Sequence, residues 1–261
     1  LFAATILGFP TLIQEQNSFP GVTTRLLSRW VDRIHISFEA SRRYFARPDK
    51  LVLSGNPVRL FEFKRTVADS RRLFQLSPDQ DTLLVFGGSQ GAEMLNQTLA
   101  ACLPKIMKET FLQVLWSTGE NNLATVLQSV GHLSGRVRVF KFIEDMESAY
   151  RAATFCVARA GALTCAEIAV CGLPAILVPY PFAAANHQEI NALAIQQKGG
   201  ADVILQNHLT PELLAERIIE MAQNTGKRNE MAEASKRLAF PRATRDLVMS
   251  IQELAGGQKN E

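Results

Sequence analysis

At 261 residues, with 47% hydrophobic and 20% charged, the chain has the balance of a soluble globular protein and room for one large domain or two smaller ones. A net charge of +3 points to no nucleic-acid partner, and no apolar run reaches the roughly 18 residues of a membrane-spanning helix. The four cysteines include no Cys-x-x-Cys pair, which excludes a zinc site or disulfide framework of the usual spacing and reads as buried free thiols of a cytosolic protein.

Strand-like and helix-like patterns alternate along the chain. Leu1 to Leu7 reads as the end of a helix, with no Met and no signal-peptide pattern at the start. Pro10 to Ile13 is a short strand closing on Gln14-Glu15-Gln16-Asn17. A helix over Gly21 to Val31, a strand over Arg33 to Phe38, a short helix over Ala40 to Phe45 and a strand over Leu51 to Leu53 follow. From Phe61 to Gln80 the pattern weakens, and this segment reads as a linker with one helical turn near Ser70 to Phe74. A second series then runs with strands Thr82–Phe86, Leu112–Trp116, Val137–Phe142, Phe155–Ala158, Ala175–Val178 and Ala201–Ile204. Its helices are Gly91–Glu109, Asn122–Val130, Met146–Ala152, Leu163–Val170 and Asn186–Lys198, with Pro211–Gln223, Arg228–Leu238 and Thr244–Leu254 at the end.

Alternating β and α elements imply parallel sheets covered by helices. The expected domains are 1–60, a linker 61–80, a second unit 81–242 and a C-terminal helical segment 243–261 that packs back on the first. The first series has about half the strands of a doubly wound sheet, which points to a segment upstream of Leu1. Charge differs between the two parts. Residues 1–72 hold 12 Lys and Arg against 6 Asp and Glu, and residues 73–261 hold 16 against 19. The basic part is either a solvated face or a face set against an anionic membrane surface.

Two strand-to-helix turns carry the strongest chemical signal. Gly87-Gly88-Ser89-Gln90-Gly91 lets the backbone turn tightly before a helix start whose free N–H groups favour phosphate. The alternative is close strand–helix packing. The second turn is Arg159-Ala160-Gly161-Ala162-Leu163-Thr164, followed by Glu167, either a capping carboxylate or an acceptor for two vicinal ribose hydroxyls. After Val178-Pro179-Tyr180-Pro181-Phe182 a helix opens with Asn186-His187-Gln188 and Asn191. Gln188 and Asn191 share a face and can read sugar hydroxyls, while Asn186 alone reads equally as an N-cap. In Gly55-Asn56-Pro57-Val58-Arg59 the arginine serves either a surface ion pair or a phosphate across a cleft. No metal-ligand spacing is present.

Taken in order, Glu15-Gln16-Asn17, Gly55 to Arg59, Gly87 to Ala92 with Asn96-Gln97, Phe142 to Met146, Arg159 to Glu167, Gly172-Leu173-Pro174 and His187 to Ala192 resemble the MurG family. Its members are bacterial UDP-N-acetylglucosamine:lipid I transferases of peptidoglycan synthesis. The resemblance spans nearly the whole chain. It implies an α/β GT-B fold, two Rossmann-like domains with parallel sheets facing a cleft, the N-terminal one incomplete here. By that similarity Ser89 and Arg59 meet the diphosphate with the loop Ala162-Leu163-Thr164, and Gln90 belongs to the substrate-binding set. Ile143 meets uracil through its backbone near Met146 and Arg159, and Glu167 holds the ribose. Gln188 and Asn191 read the N-acetylglucosamine with His187 adjacent, and Asn17 belongs to the same substrate-binding set. The implied partners are UDP-N-acetylglucosamine, lipid I and the anionic cytoplasmic face of the inner membrane, with no cofactor and no metal. The family's first glycine loop, with its histidine base, lies upstream of Leu1, and position 14 is Gln where many members have His. The residues present therefore name no catalytic base, with Glu15 as the sole candidate. The competing readings are another GT-B lipid glycosyltransferase and a non-catalytic UDP-sugar-binding module.

Overall fold

The computed structural model describes residues 1–59, 61–88, 92–133 and 135–256. Helix α1 (Phe2–Ile6) precedes strand β1 (Leu12–Glu15), helix α2 (Val22–Leu27) and strand β2 (Arg33–Ile36). A 3-10 run (Glu39–Tyr44) and strand β3 (Leu51–Leu53) follow, and the three strands pair in parallel in the order β1-β2-β3. Val31, Ile34, Ile36 and Phe45 form their small core. Two expectations are corrected here. The helix expected over Gly21 to Val31 stops at Leu27, and Asp32, just before β2, accepts the N–H and hydroxyl of Thr11. The helix expected over Ala40 to Phe45 is 3-10, with the Ser41 hydroxyl tied to the Phe38 carbonyl.

The segment expected to be a linker carries helix α3 (Val67–Leu73), capped by Thr66, whose hydroxyl accepts the Asp69 N–H. Arg71 anchors it, donating to the carbonyls of Ala152 and Pro78 and to the Thr154 hydroxyl. Phe74 and Leu76 then enter the core of the second sheet. The anchor is a buried guanidinium rather than an apolar stripe, which is why the periodicity looked weak.

The second unit runs β4 (Thr82–Phe86), α4 (Glu93–Glu109), β5 (Gln113–Ser117), α5 (Leu123–Val130), β6 (Val137–Phe140) and α6 (Met146–Ala152). It continues with β7 (Phe155–Ala158), α7 (Ala162–Cys171), β8 (Ala175–Leu177), α8 (His187–Gln196), β9 (Asp202–Val203), α9 (Pro211–Gln223) and α10 (Thr225–Arg237), and α11 (Ala243–Gly256) follows it. All six strands are parallel in the order β6-β5-β4-β7-β8-β9. Side chains alternate between faces. Leu83, Val85, Val114, Trp116, Phe155 and Val157 share one core with α4 and α9, while Leu84, Phe86, Leu115, Cys156 and Ala158 share the other with α6 and α7. Both faces are covered, so these strands read as continuous apolar runs. The four cysteines are free, with Cys102, Cys156 and Cys165 buried and Cys171 half-buried. Helix α10 starts three residues before its expected position because the Asn224 carboxamide accepts the Lys227 N–H and caps it. Among the described residues, no helix is long and apolar enough to cross a membrane.

Helix α11 lies against the first sheet. Arg33 donates to the Ser250 hydroxyl at 2.7 Å and pairs with Glu253 at 2.7 Å. His35, buried, bridges Ser54 through Nδ1 and Ser250 through Nε2, each at 2.8 Å. Burial, followed by the nearby Arg33 charge, lowers the imidazole pKa from its ordinary value, against a smaller opposing pull from Asp246. The unfolded chain therefore binds the proton more readily, and this site's contribution is lost as pH falls through the unfolded-state value of about 6.5. Between pH 7.5 and 5.5 the thermal midpoint is expected to drop, and His35→Gln is expected to flatten that slope. An unchanged slope in the variant would remove His35 as its source.

Candidate functional site

The strand order of the second sheet reverses between β4 and β7, so the two turns that follow these strands open side by side at their carboxyl ends, where open α/β sheets bind ligands. The first turn leaves β4 through Gly88, whose φ of +89 is a left-handed conformation that suits glycine. Ser89, expected at the diphosphate, and Gln90, expected in the substrate-binding set, lie outside the described residues. Asn96, one turn into α4, is buried, donates to the Thr118 carbonyl and accepts the Trp116 indole N–H, so it locks α4 to the end of β5.

The second turn ends in Gly161, the N-cap of α7, which offers no side-chain acceptor to the N–H groups of Ala162, Leu163 and Thr164. Ala162 is buried, Thr164 half-buried and Leu163 exposed. Glu167 follows, half-buried, and its Oε2 accepts the Tyr150 phenol at 2.8 Å. Burial raises the Glu167 pKa, while the Tyr150 hydrogen bond and the charge of Arg59 pull the other way. Arg59, exposed at the end of the segment leaving β3, thus sits close enough to act on this carboxylate. Ile143 has its side chain in the core, so its backbone is what it can offer a ligand. Met146 begins α6, which Asp145 caps by accepting the N–H and hydroxyl of Ser148.

Three expected site residues are engaged otherwise in this structure. Arg159, 7% exposed, donates to the carbonyls of Val178 and Pro179 and stacks on Tyr180, so it holds the loop after β8. Burial lowers its pKa to about 10. Asn191, 0% exposed, accepts the Ser18 N–H and hydroxyl at 2.9 and 2.6 Å, and donates to Asn17 Oδ1 at 3.1 Å and to the Ala160 carbonyl at 3.5 Å. It ties the loop after β1 to the loop after β7, and reading a sugar would mean exchanging these bonds. Glu15 is buried, its two oxygens accepting the N–H groups of Asn17 and Gly21. That geometry makes it an organiser of the loop after β1.

At the start of α8, Ala185 and Asn186 both take left-handed conformations, φ 50 and 54. Asn186 occupies the N-cap position without capping, since its amide donates to Glu189 instead. His187 Nδ1 donates to the Ala184 carbonyl at 2.7 Å, and Gln188 Oε1 accepts the Tyr180 N–H at 3.0 Å. Sequence reasoning missed Ser18 and Tyr150, and named Asn56 without its role. Asn56 Oδ1 accepts from Gln14 and Ser37, and its amide donates to the carbonyls of Gln16 and Ala162, which ties all three first-sheet strand ends to the start of α7. The Gly-Asn-Pro turn was the available signal for it. Tyr150 had none, because a tyrosine on an apolar helix face reads as core.

Residues 82–247 match the glycosyltransferase family 28 C-terminal domain. A protein of Desulforamulus reducens named UDP-N-acetylglucosamine--N-acetylmuramyl-(pentapeptide) pyrophosphoryl-undecaprenol N-acetylglucosamine transferase is 40% identical over 99% of this chain and 71% of its own length. The protein of the same name from Chlorobium phaeobacteroides is 40% identical over 98% of this chain and 69% of its own. The crystal structure of MurG from Acinetobacter baumannii superposes with a TM-score of 0.78 at 32% identity, over 97% of this chain and 70% of that one. The chain belongs to the MurG family. Its fold is accordingly GT-B, with the six-stranded parallel sheet as the C-terminal Rossmann-like domain. In MurG-family terms, the match to the family 28 C-terminal domain covers the six-stranded sheet that carries both turns.

Proposed function

We propose that this chain acts as an inverting N-acetylglucosaminyltransferase, moving the sugar from UDP-N-acetylglucosamine to the muramyl 4-hydroxyl of lipid I to form lipid II. The hydroxyl oxygen bonds to the anomeric carbon as the bond from that carbon to the diphosphate oxygen breaks. UDP leaves, and the hydroxyl proton passes to a base. The observation that carries this reading is the α7 N-terminus: an amide turn without a side-chain cap, at the switch point, with Glu167 in the same helix and Arg59 nearby. Its N–H groups and the Arg59 guanidinium suit the charge that grows on the departing diphosphate. In this reading Glu167 accepts the ribose diol, and Gln188, Asn191, Asn17 and His187 are assigned to the sugar, Asn191 by exchanging its present hydrogen bonds. Ser89 is proposed for the diphosphate on the first turn, with Gln90 in the substrate-binding set. The units are 1–60 for the acceptor side, 61–80 between, 81–242 for the donor and 243–261 returning to the first.

Attachment to the cytoplasmic face of the inner membrane, and through lipid II a part in cell shape and division, belong to the same proposal. Phe2, Ile6, Leu7, Val22, Leu26 and Trp30 are exposed in and beside α1 and α2, in the part of the chain with the basic excess.

Calorimetric titration is expected to show UDP and UDP-N-acetylglucosamine binding, with Glu167→Ala weakening UDP by about 1–3 kcal/mol, the size of a lost hydrogen bond to a charged group. Binding of a different nucleotide in preference to UDP would overturn the donor assignment. An unchanged dissociation constant in the variant would remove Glu167 from the site.

A further inference from the structure

We propose that Tyr150 is a positioning residue for the donor, its phenol holding the Glu167 carboxylate in the orientation that presents Oε1 to the vicinal hydroxyls of a ribose. This rests on the reading of Glu167 given above.

The geometry is specific. Tyr150 is buried on α6, and its ring is held edge-on by Phe61 at 5.6 Å and by Phe86 at 5.9 Å between centroids. Phe86 ends β4 and Phe61 lies two residues past Arg59, so the phenol is fixed by the same segments that carry the first turn and the arginine. Its hydroxyl donates to Oε2 of Glu167, while Oε1 has no hydrogen-bond partner among the described residues. An ionised carboxylate accepts on about four lone-pair sites. With one taken by the phenol, the rest suffice for two ribose hydroxyls, and the carboxylate plane no longer rotates.

The phenol has a second effect. Burial favours the neutral form of Glu167, which is a poorer acceptor, and the Tyr150 hydrogen bond opposes that shift. Burial, with Glu167 adjacent, raises the phenol's own pKa well above its ordinary value, so it stays a neutral donor. Removing the hydroxyl therefore frees the carboxylate to rotate and raises its pKa further. The acceptor is then lost as pH falls through that raised value.

The test compares UDP with 2′,3′-dideoxyuridine diphosphate, which lacks both hydroxyls, on the 261-residue chain by calorimetry from pH 8 to 5.5. Tyr150→Phe keeps the ring between Phe61 and Phe86. It is expected to weaken UDP about tenfold at pH 7, the size of one hydrogen bond to a charged group. The ratio to wild type is expected to widen as pH falls, and the dideoxy nucleotide is expected to bind wild type and variant alike. Combining Tyr150→Phe with Glu167→Gln is expected to add nothing to the loss from Glu167→Gln alone. If Glu167→Gln weakens both nucleotides equally, the ribose reading fails. If Glu167→Gln selectively weakens UDP while Tyr150→Phe weakens both alike, weakens neither, or adds fully to Glu167→Gln, only the positioning role is overturned.

Discussion

Gly55→Ala is expected to destabilise the chain by about 2–5 kcal/mol, the sum of two separate costs. Gly55 has φ +80, a left-handed conformation that costs an L-residue about 1–2 kcal/mol. A Cβ there would also run into Cβ and Cγ of Phe240, and no rotamer change moves that Cβ away. Forcing an extra carbon into such a contact typically costs about 1–3 kcal/mol. Phe240 lies between α10 and α11, where the chain returns from the second unit to the first, so the contact helps seat the return segment on the turn after β3. Gly8→Ala is the matched control: its φ is +74, and a Cβ there has nothing within 4 Å. Denaturant unfolding is expected to show a loss in Gly55→Ala well beyond that in Gly8→Ala. Equal losses would mean that Phe240 gives way freely and that the return segment is not seated there.

Asn191→Ala is expected to lower stability by about 2–4 kcal/mol, because it strands partners in a dry place. The Ser18 N–H and hydroxyl lose their common acceptor, and Asn17 Oδ1 loses its donor. Ser18 is itself fully buried, so water does not replace those bonds readily. Ser18→Ala removes one hydroxyl and is expected to cost less. The double variant is expected to cost less than the sum of the two, since both act on one network. A loss below about 0.5 kcal/mol for Asn191→Ala, the range of ordinary surface changes, would show that the two loops are joined by something else.

These two sites bear on what could be read before the structure. The six-stranded sheet was legible because its strands are short apolar runs closed by turn residues, and local chemistry is enough to define both. Leu83 to Phe86 and Phe155 to Ala158 are strands in any parallel sheet buried on both faces. Helix starts marked by a local cap were legible too, as at Thr210-Pro211. Helix α3 was underestimated, since its hold on the fold is Arg71 reaching the Ala152 carbonyl and the Thr154 hydroxyl far along the chain. The site divided in the same way. The turn before α7 and the acidic residue in it stood out from glycine and carboxylate spacing alone, whereas the partner of that carboxylate, Tyr150, did not.

The order of residues by itself determined the β/α alternation, the two glycine turns and the family, because each depends on neighbours a few positions apart or on motifs kept in sequence. Only the tertiary structure decided that Asn191 joins two loops, that Glu15 shapes a turn, that Arg159 holds the loop after β8 and that His35 receives α11. A polar side chain takes its role from whichever donor or acceptor folding brings within about 3 Å, and for Asn191, Arg159 and His35 that company lies far away in the chain, while Glu15 finds it in the loop that follows.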